Sequence, residues 1–322
     1  MRPVSLIALV AQAVCTLACT GGKVVRLGDN LPPPYLFDAP VLVAELASSS
    51  RTDNPTLTGD LLEIYFTTDR VSGNGDVWFA TRATATAPFS APAPVTAVNG
   101  DSFETSSAIS TDGLTLWFGS DRPGGVGAND IWVTQRATRA SPWSTPVDVV
   151  ALNSPADDIP RPPGEHALVM PMASTKATAI SPASGGNYQT YLAARPTAGA
   201  PFGAPVTIPK LDVATRSTVD GFLTDDGLTM FFSSAPVAEA ADAAASGADA
   251  GKKADAGLAN SDLYVAWRLS PSAPFSFTQT LDDLNTPADE RDPWLSPDGT
   301  TLYFTSDRGG VLSIYTAAVK PR

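Results

Sequence analysis

Leu62-Glu63-Ile64-Tyr65-Phe66-Thr67-Thr68-Asp69-Arg70 returns as Leu114-Thr115-Leu116-Trp117-Phe118-Gly119-Ser120-Asp121-Arg122 and as Thr300-Thr301-Leu302-Tyr303-Phe304-Thr305-Ser306-Asp307-Arg308. Leu228-Thr229-Met230-Phe231-Phe232-Ser233-Ser234 is a shorter copy, and His166-Ala167-Leu168-Val169-Met170-Pro171-Met172 a worn one. Each copy is short, apolar and aromatic and is bounded by turn residues, which is the pattern of a β-strand. Asp112-Gly113, Asp226-Gly227 and Asp298-Gly299 precede three of them, and Gly takes the positive φ that a hairpin turn requires. Before the turn lies another short strand, centred on Leu57, Ile109, Pro162, Leu223 and Leu295. After the main strand comes a third, marked by Trp78, Trp132, Tyr191, Tyr264 and Tyr315, and a fourth follows Phe89, Trp143, Phe202 and Phe275.

The first-strand anchors at 57, 109, 162, 223 and 295 are spaced 52, 53, 61 and 72 residues apart. The last interval holds Ala235–Asn260, a 26-residue stretch rich in Ala, Asp, Gly and Lys with no strand pattern. Too few large apolar side chains are present there to pack a core. Roughly fifty residues and four strands per unit predict an all-β chain, a single β-propeller of five four-stranded blades over residues 40–320. The fifth unit stops after its third strand at Lys320, and a spare strand, Pro40-Val41-Leu42-Val43-Ala44-Glu45-Leu46, stands at the other end. Pairing the two closes the ring and leaves no open sheet edge.

Composition agrees. The 322 residues are 43% hydrophobic and 17% charged, with 25 glycines and 29 prolines. That is too many breakers for a helix bundle and too much apolar content for a disordered chain. The net charge of −12 excludes a nucleic-acid surface, which needs a basic footprint. One histidine and two cysteines exclude most His- or Cys-based catalytic and zinc sites by count. His166, the one histidine, reads as a strand residue near a turn. Without a cysteine partner or a Gly-x-Ser-x-Gly elbow, no nucleophile triad is supported.

Residues 1–18 read as a lipoprotein-type signal peptide: Arg2 supplies the positive charge and Val4–Val14 an apolar run too short to span a bilayer. Thr16-Leu17-Ala18-Cys19 resembles a bacterial lipobox, which makes Cys19 the lipidated residue. Residues 19–39, with Leu31-Pro32-Pro33-Pro34, read as a tether. The expected location is the bacterial cell envelope, on a periplasmic or surface face of the outer membrane, with the lipid as the one membrane contact and the chain a monomer.

Leu295-Ser296-Pro297-Asp298-Gly299-Thr300-Thr301-Leu302-Tyr303-Phe304-Thr305-Ser306-Asp307-Arg308-Gly309-Gly310 resembles the WD40-like repeat of TolB-type propellers. The resemblance covers nearly all of residues 40–320 and is weakest in the third unit. It implies a periplasmic or cell-surface propeller that serves as a protein-interaction module. Members usually have six or seven blades, where this chain has five copies.

Two sets of charged residues are candidate sites. Asp53, Glu104, Asp158, Asp220 and Asp292 each read as the entry to an innermost strand, so they would ring one mouth of the central channel. Like charges so placed repel unless a cation or basic group joins them. Strand-entry caps are one reading of the set, and a Ca²⁺ ion or a cationic ligand the other. Asp69-Arg70, Asp121-Arg122 and Asp307-Arg308 begin the loops between second and third strands. There the Asp bonds the turn and the Arg a neighbouring blade, or the pairs form a charged rim for a partner. Arg82, Arg136, Arg195 and Arg268 end third strands and read as a solvated rim on the opposite face.

No asymmetric acid is evident inside an inner strand. The expected function is therefore a non-enzymatic module that binds an envelope protein or a cationic ligand. A five-bladed glycoside hydrolase or carbohydrate-binding protein is the alternative.

Overall fold

Among the described residues, twenty short strands arrange themselves as five antiparallel four-stranded sheets. The computed structural model describes residues 35–71, 73–177, 187–237 and 260–320. Strand β1 (Val41–Leu42) precedes the first blade. Blade one is β2 (Thr52–Leu57), β3 (Glu63–Thr68), β4 (Asp76–Thr81) and β5 (Ala93–Pro94). Blade two is β6 (Glu104–Ile109), β7 (Thr115–Ser120), β8 (Asp130–Gln135) and β9 (Val147–Asp148). Blade three is β10 (Asp158–Pro160), β11 (Val169–Ser174), β12 (Gln189–Ala194) and β13 (Val206–Thr207). Blade four is β14 (Arg216–Leu223), β15 (Thr229–Pro236), β16 (Asp262–Trp267) and β17 (Phe277–Thr280). Blade five joins β18 (Glu290–Leu295), β19 (Thr301–Ser306) and β20 (Ser313–Ala318) to β1, in the order β1-β20-β19-β18.

The expected five-bladed propeller is therefore the observed fold, closed by the N-terminal strand. Phe37 bridges to Val319 and is 1% exposed, so the chain enters the propeller core before residue 40, within the segment read as tether. Strand β15 continues to Pro236, which pairs with Arg216, so the first two residues of the Ala235–Asn260 stretch belong to blade four. Cys19 lies outside the described residues.

Alternation along the second strands builds the core. Ile64 and Phe66 of β3 pack with Trp294, Tyr303 and Ile314 of blade five, while Tyr65 between them packs with Ile109, Leu116 and Phe118 of blade two. Successive side chains leave opposite faces of a strand, so every second strand feeds both neighbouring interfaces. The same division recurs round the ring, with clusters between blades two and three, three and four, and four and five. Each such buried side chain contributes about 1.5–3 kcal/mol, and this sum, rather than any single contact, holds the blades together.

The Asp-Gly turns have the geometry that their sequence predicts: Gly113, Gly227 and Gly299 lie at φ 76°, 68° and 69°. The inner strands hold a second device. A bulge interrupts pairing between Asp53 and Thr56, Thr105 and Ala108, Val219 and Phe222, and Arg291 and Trp294. Asn54, Ser106, Asp220 and Asp292 take left-handed φ values of 54°, 51°, 59° and 56° inside these bulges. Such bulges bend a strand and re-aim its side chains. Pro160 stands at the corresponding place in β10, pairs regularly with Met172, and cannot adopt positive φ. Blade three therefore has a short inner strand and no bulge.

Candidate functional site

The five carboxylates expected to ring one mouth lie at three different depths. Glu104 and Asp158 begin their inner strands, opposite Ser120 and Ser174, and Glu290 shares that place opposite Ser306. Asp53 sits one residue further in, opposite Thr67. Asp220 and Asp292 sit one residue further still, in the bulges. All five are at most 3% exposed, which corrects the expectation of an exposed rim. The repeat periodicity had hidden this offset, because neighbouring acids in different copies look equivalent until the register is known.

Their counter-charges come from within the chain. Glu104 accepts from Arg122 Nη2 at 2.9 Å, Ser120 Oγ at 3.1 Å and the Gly100 amide at 3.2 Å. Burial pushes its carboxyl up to about 7 against the pull of Arg122. Asp158 accepts from the Ser154 amide at 2.6 Å and its hydroxyl at 2.7 Å, and burial raises it to about 6. Asp53 pairs with Arg51 at 3.4 Å. Among the described residues no three His, Cys, Asp or Glu side chains converge as a metal ion requires.

The arginines of the Asp-Arg loops reach inward. Arg70, Arg122 and Arg308 donate through Nη2 to the Leu46, Val98 and Leu284 carbonyls at 2.8, 2.6 and 2.7 Å, in each case 24 residues upstream. Each also lies over two aromatic rings, Arg122 at 4.7 Å from Phe118 and 5.3 Å from Trp132. Asp121 and Asp307 accept from the Phe103 and Asp289 amides, both at 2.9 Å, while Asp69 stands in the corresponding place of blade one.

Arg82, Arg136, Arg195 and Arg268 are not a solvated rim. Each Nε donates to a carbonyl of its own blade's first turn, at 2.6, 2.7, 2.8 and 2.6 Å. Each guanidinium stacks on the aromatic that opens the fourth strand: Phe89, Trp143, Phe202 and Phe275, at 4.4, 4.5, 4.4 and 4.8 Å. His166 also departs from expectation. It lies in a left-handed turn with Glu165 and Ala167, not in a strand, and its Nδ1 meets Asp225 at 2.9 Å.

What breaks the five-fold pattern is at the axis. Arg161 follows β10 and is 1% exposed. Its Nη1 donates to Asn54 Oδ1 of blade one at 3.1 Å and lies 3.6 Å from Asp292 of blade five and 4.0 Å from Asp220 of blade four. Asp292 in turn accepts from the Asn54 amide at 3.1 Å, and Ser233 Oγ donates to Asp220 at 3.0 Å. Burial and the adjacent Asp292 raise the Asp220 carboxyl well above the usual range. The sequence signal was Asp158-Ile159-Pro160-Arg161-Pro162-Pro163, the copy that fits the repeat worst. Contrary to the sequence reading, Asp220 and Asp292 are acids inside inner strands.

A cavity of about 430 Å³ opens on the face opposite the strand entries, where the inner strands end. Leu57, Ile109, Pro162, Phe222, Trp294 and Tyr35 form its walls, and Asp225, Asp226 and Asp298 stand among its outer residues. Pro162 follows Arg161 directly, while Phe222 and Trp294 lie two residues beyond Asp220 and Asp292. The charged centre is therefore one to two residues along the chain from the wall of this apolar funnel, which Arg161, Asp220 and Asp292 do not themselves line. A cleft of about 510 Å³ on the outside, between blades two and three, is lined by Trp117, Arg195 and Phe202, a stacking unit of the repeat.

No family model matches the chain, and no curated protein matches it by sequence. Solved structures do. TolB from Acinetobacter baumannii aligns at TM-score 0.50 and 16% identity over 86% of this chain and 56% of its own, so this chain spans little more than half of that protein. A protein of unknown function from Dyadobacter fermentans aligns at TM-score 0.51 and 12% identity, over 90% of this chain and 100% of its own. An α-L-arabinofuranosidase from Podospora anserina, solved in complex with cellotriose, aligns at TM-score 0.50 and 10% identity, over 89% and 96%. The likeness is one of fold. One fold can host unrelated functions, so a site has to be argued from its own residues.

Proposed function

We propose that the chain is a non-enzymatic binding propeller of the bacterial cell envelope, anchored through Cys19, whose ligand enters the axial funnel on the turn face. One observation carries this reading. The funnel of about 430 Å³ is walled by side chains of several blades, and its wall residue Pro162 follows Arg161, whose contacts depart from the repeat. Concave, largely apolar sites with a few convergent polar groups are what small ligands and protruding side chains occupy. The mouth bearing Glu104 and Asp158 is a weaker candidate, because its carboxylates are buried and already paired.

Thr111 is exposed and lines the funnel. The test is capture from a bacterial envelope extract by the wild-type chain, Thr111→Trp and Glu104→Gln. The wild type and Glu104→Gln should retain the same partner and Thr111→Trp should lose it. Equal capture by all three contradicts the funnel. Anchoring is tested separately: radioactive fatty acid should label the wild type and not Cys19→Ala.

A hydrolase reading rests on Asp220 and Asp292, a buried carboxylate pair with one member raised, as acid–base pairs are. Release of reducing sugar from a polysaccharide panel, abolished by Asp292→Asn, would replace the binding reading with that one.

A further inference from the structure

Arg161 uses only half of its guanidinium. Three acceptors crowd Nη1, while Nε and Nη2 have no hydrogen-bond partner among the described residues. Leaving buried donors unmet costs about 1–3 kcal/mol each, more for a charged group, so a side chain that is 1% exposed is an improbable place to find two of them. The two atoms are not an arbitrary pair. Nε and Nη2 form the side-on edge of the guanidinium fork, whose two parallel N–H bonds match the two oxygens of a carboxylate.

We infer that the open edge of Arg161 receives the carboxylate of a small ligand whose apolar body occupies the funnel. The inference rests on the funnel being the way in, and it adds the ligand's chemical class. Charge at the centre permits an anion. Asp220 and Asp292 both face Arg161, Arg291 adds a second positive charge that acts on Asp220, and burial favours the protonated form of Asp220. Position permits it as well, since Pro162, the residue after Arg161, is part of the funnel wall. An aromatic carboxylate suits both halves of the site, its ring against Phe222 and Trp294 and its two oxygens toward Arg161.

The probes are benzoate and acetate, with chloride and phosphate as controls. The readout is the Arg161 Nε–H resonance of the wild-type chain, assigned by its loss in Arg161→Lys. Benzoate should shift that resonance saturably and at lower concentration than acetate, and chloride should leave it in place. Arg161→Lys keeps the charge without the fork and, with both proteins titrated by calorimetry, should weaken benzoate binding by about tenfold or more. If Arg161→Lys does not fold, the same resonance is assigned from backbone-linked spectra of the wild type. A resonance unmoved by benzoate, or one that moves equally with chloride, overturns the inference. A response to phosphate and none to benzoate overturns the carboxylate assignment. Thr111→Trp separates the two levels: a benzoate response that persists in that variant keeps the Arg161 site and contradicts entry through the funnel.

Discussion

Arg161 of blade three donates through Nη1 to Asn54 Oδ1 of blade one at 3.1 Å, across the axis and past the intervening blade two. Asn54 holds a left-handed φ of 54° to present that oxygen, a conformation that Asn tolerates better than other branched or bulky residues. Backbone and side chain therefore make separate contributions at this position. Asn54→Gly should cost about 1–2 kcal/mol for the lost bond to a buried charge. Asn54→Ala should cost about 1–2 kcal/mol more, from the left-handed penalty on a Cβ. Equal losses in chemical denaturation would mean that the backbone there is unstrained.

Closure depends on the N-terminal segment. Phe37 is buried, its amide donates to Asp283 at 2.9 Å, and β1 completes blade five. Phe37→Ala should lower stability by about 3–5 kcal/mol. Removing residues 35–46 should abolish cooperative unfolding by opening the sheet edge. A circular permutant that places residues 35–46 after Lys320 should restore it. A cooperative melt in the deletion would show that the ring closes without the strand.

Arg136 ties three elements together: its Nη2 meets Glu63 of blade one at 2.5 Å, its Nε bonds Gly113, and its plane stacks on Trp143. Arg136→Ala should cost about 3–5 kcal/mol, because it leaves Glu63 nearly buried without its partner. Arg136→Lys should recover less than half of that loss, since an ammonium keeps the charge but loses the stack and the fork. Urea unfolding of the pair, read at fixed pH, measures both.

Glu104 makes stability fall with rising pH. Its folded-state value of about 7 lies above the ordinary 4.5, so the folded chain holds the proton more tightly than the unfolded chain between those two values. The protonated, stable form is fully present below about 4.5, and its advantage is gone once the pH passes about 7. Glu104→Gln cannot ionise. The difference between the two proteins should therefore shift toward the variant by on the order of 3 kcal/mol between pH 4 and pH 8. A difference independent of pH would show that Arg122 fully offsets the burial of Glu104.

The architecture was legible because it repeats. Strand β3 and its copies carry the alternation of Ile64, Tyr65 and Phe66, Gly113 and its copies carry the turns, and the spare strand at Val41 carries the closure. The inner strands were less legible. Asp53, Glu104 and Asp220 looked equivalent because each is an acid near the start of its strand, although they stand four, five and three residues before Leu57, Ile109 and Leu223 and so lie at different depths. The arginines at 82, 136, 195 and 268 looked like a solvated rim because a charge at a strand end reads as exposed, although each stands seven residues before the aromatic on which it stacks. Arg161 was hardest to see. Its partners lie 107 residues away at Asn54 and in two other blades, and only the poor fit of its repeat marked the place.

The central claim is that the ligand enters on the turn face. Photo-crosslinking tests it most directly, with a benzophenone amino acid placed in the intact chain at Thr111, beside the funnel, or at Asp121, in a strand-entry loop of the opposite face. Irradiation with a bacterial envelope extract should yield a discrete adduct from position 111 and none from position 121. An adduct from 121 alone would place the ligand at the other mouth and contradict the account.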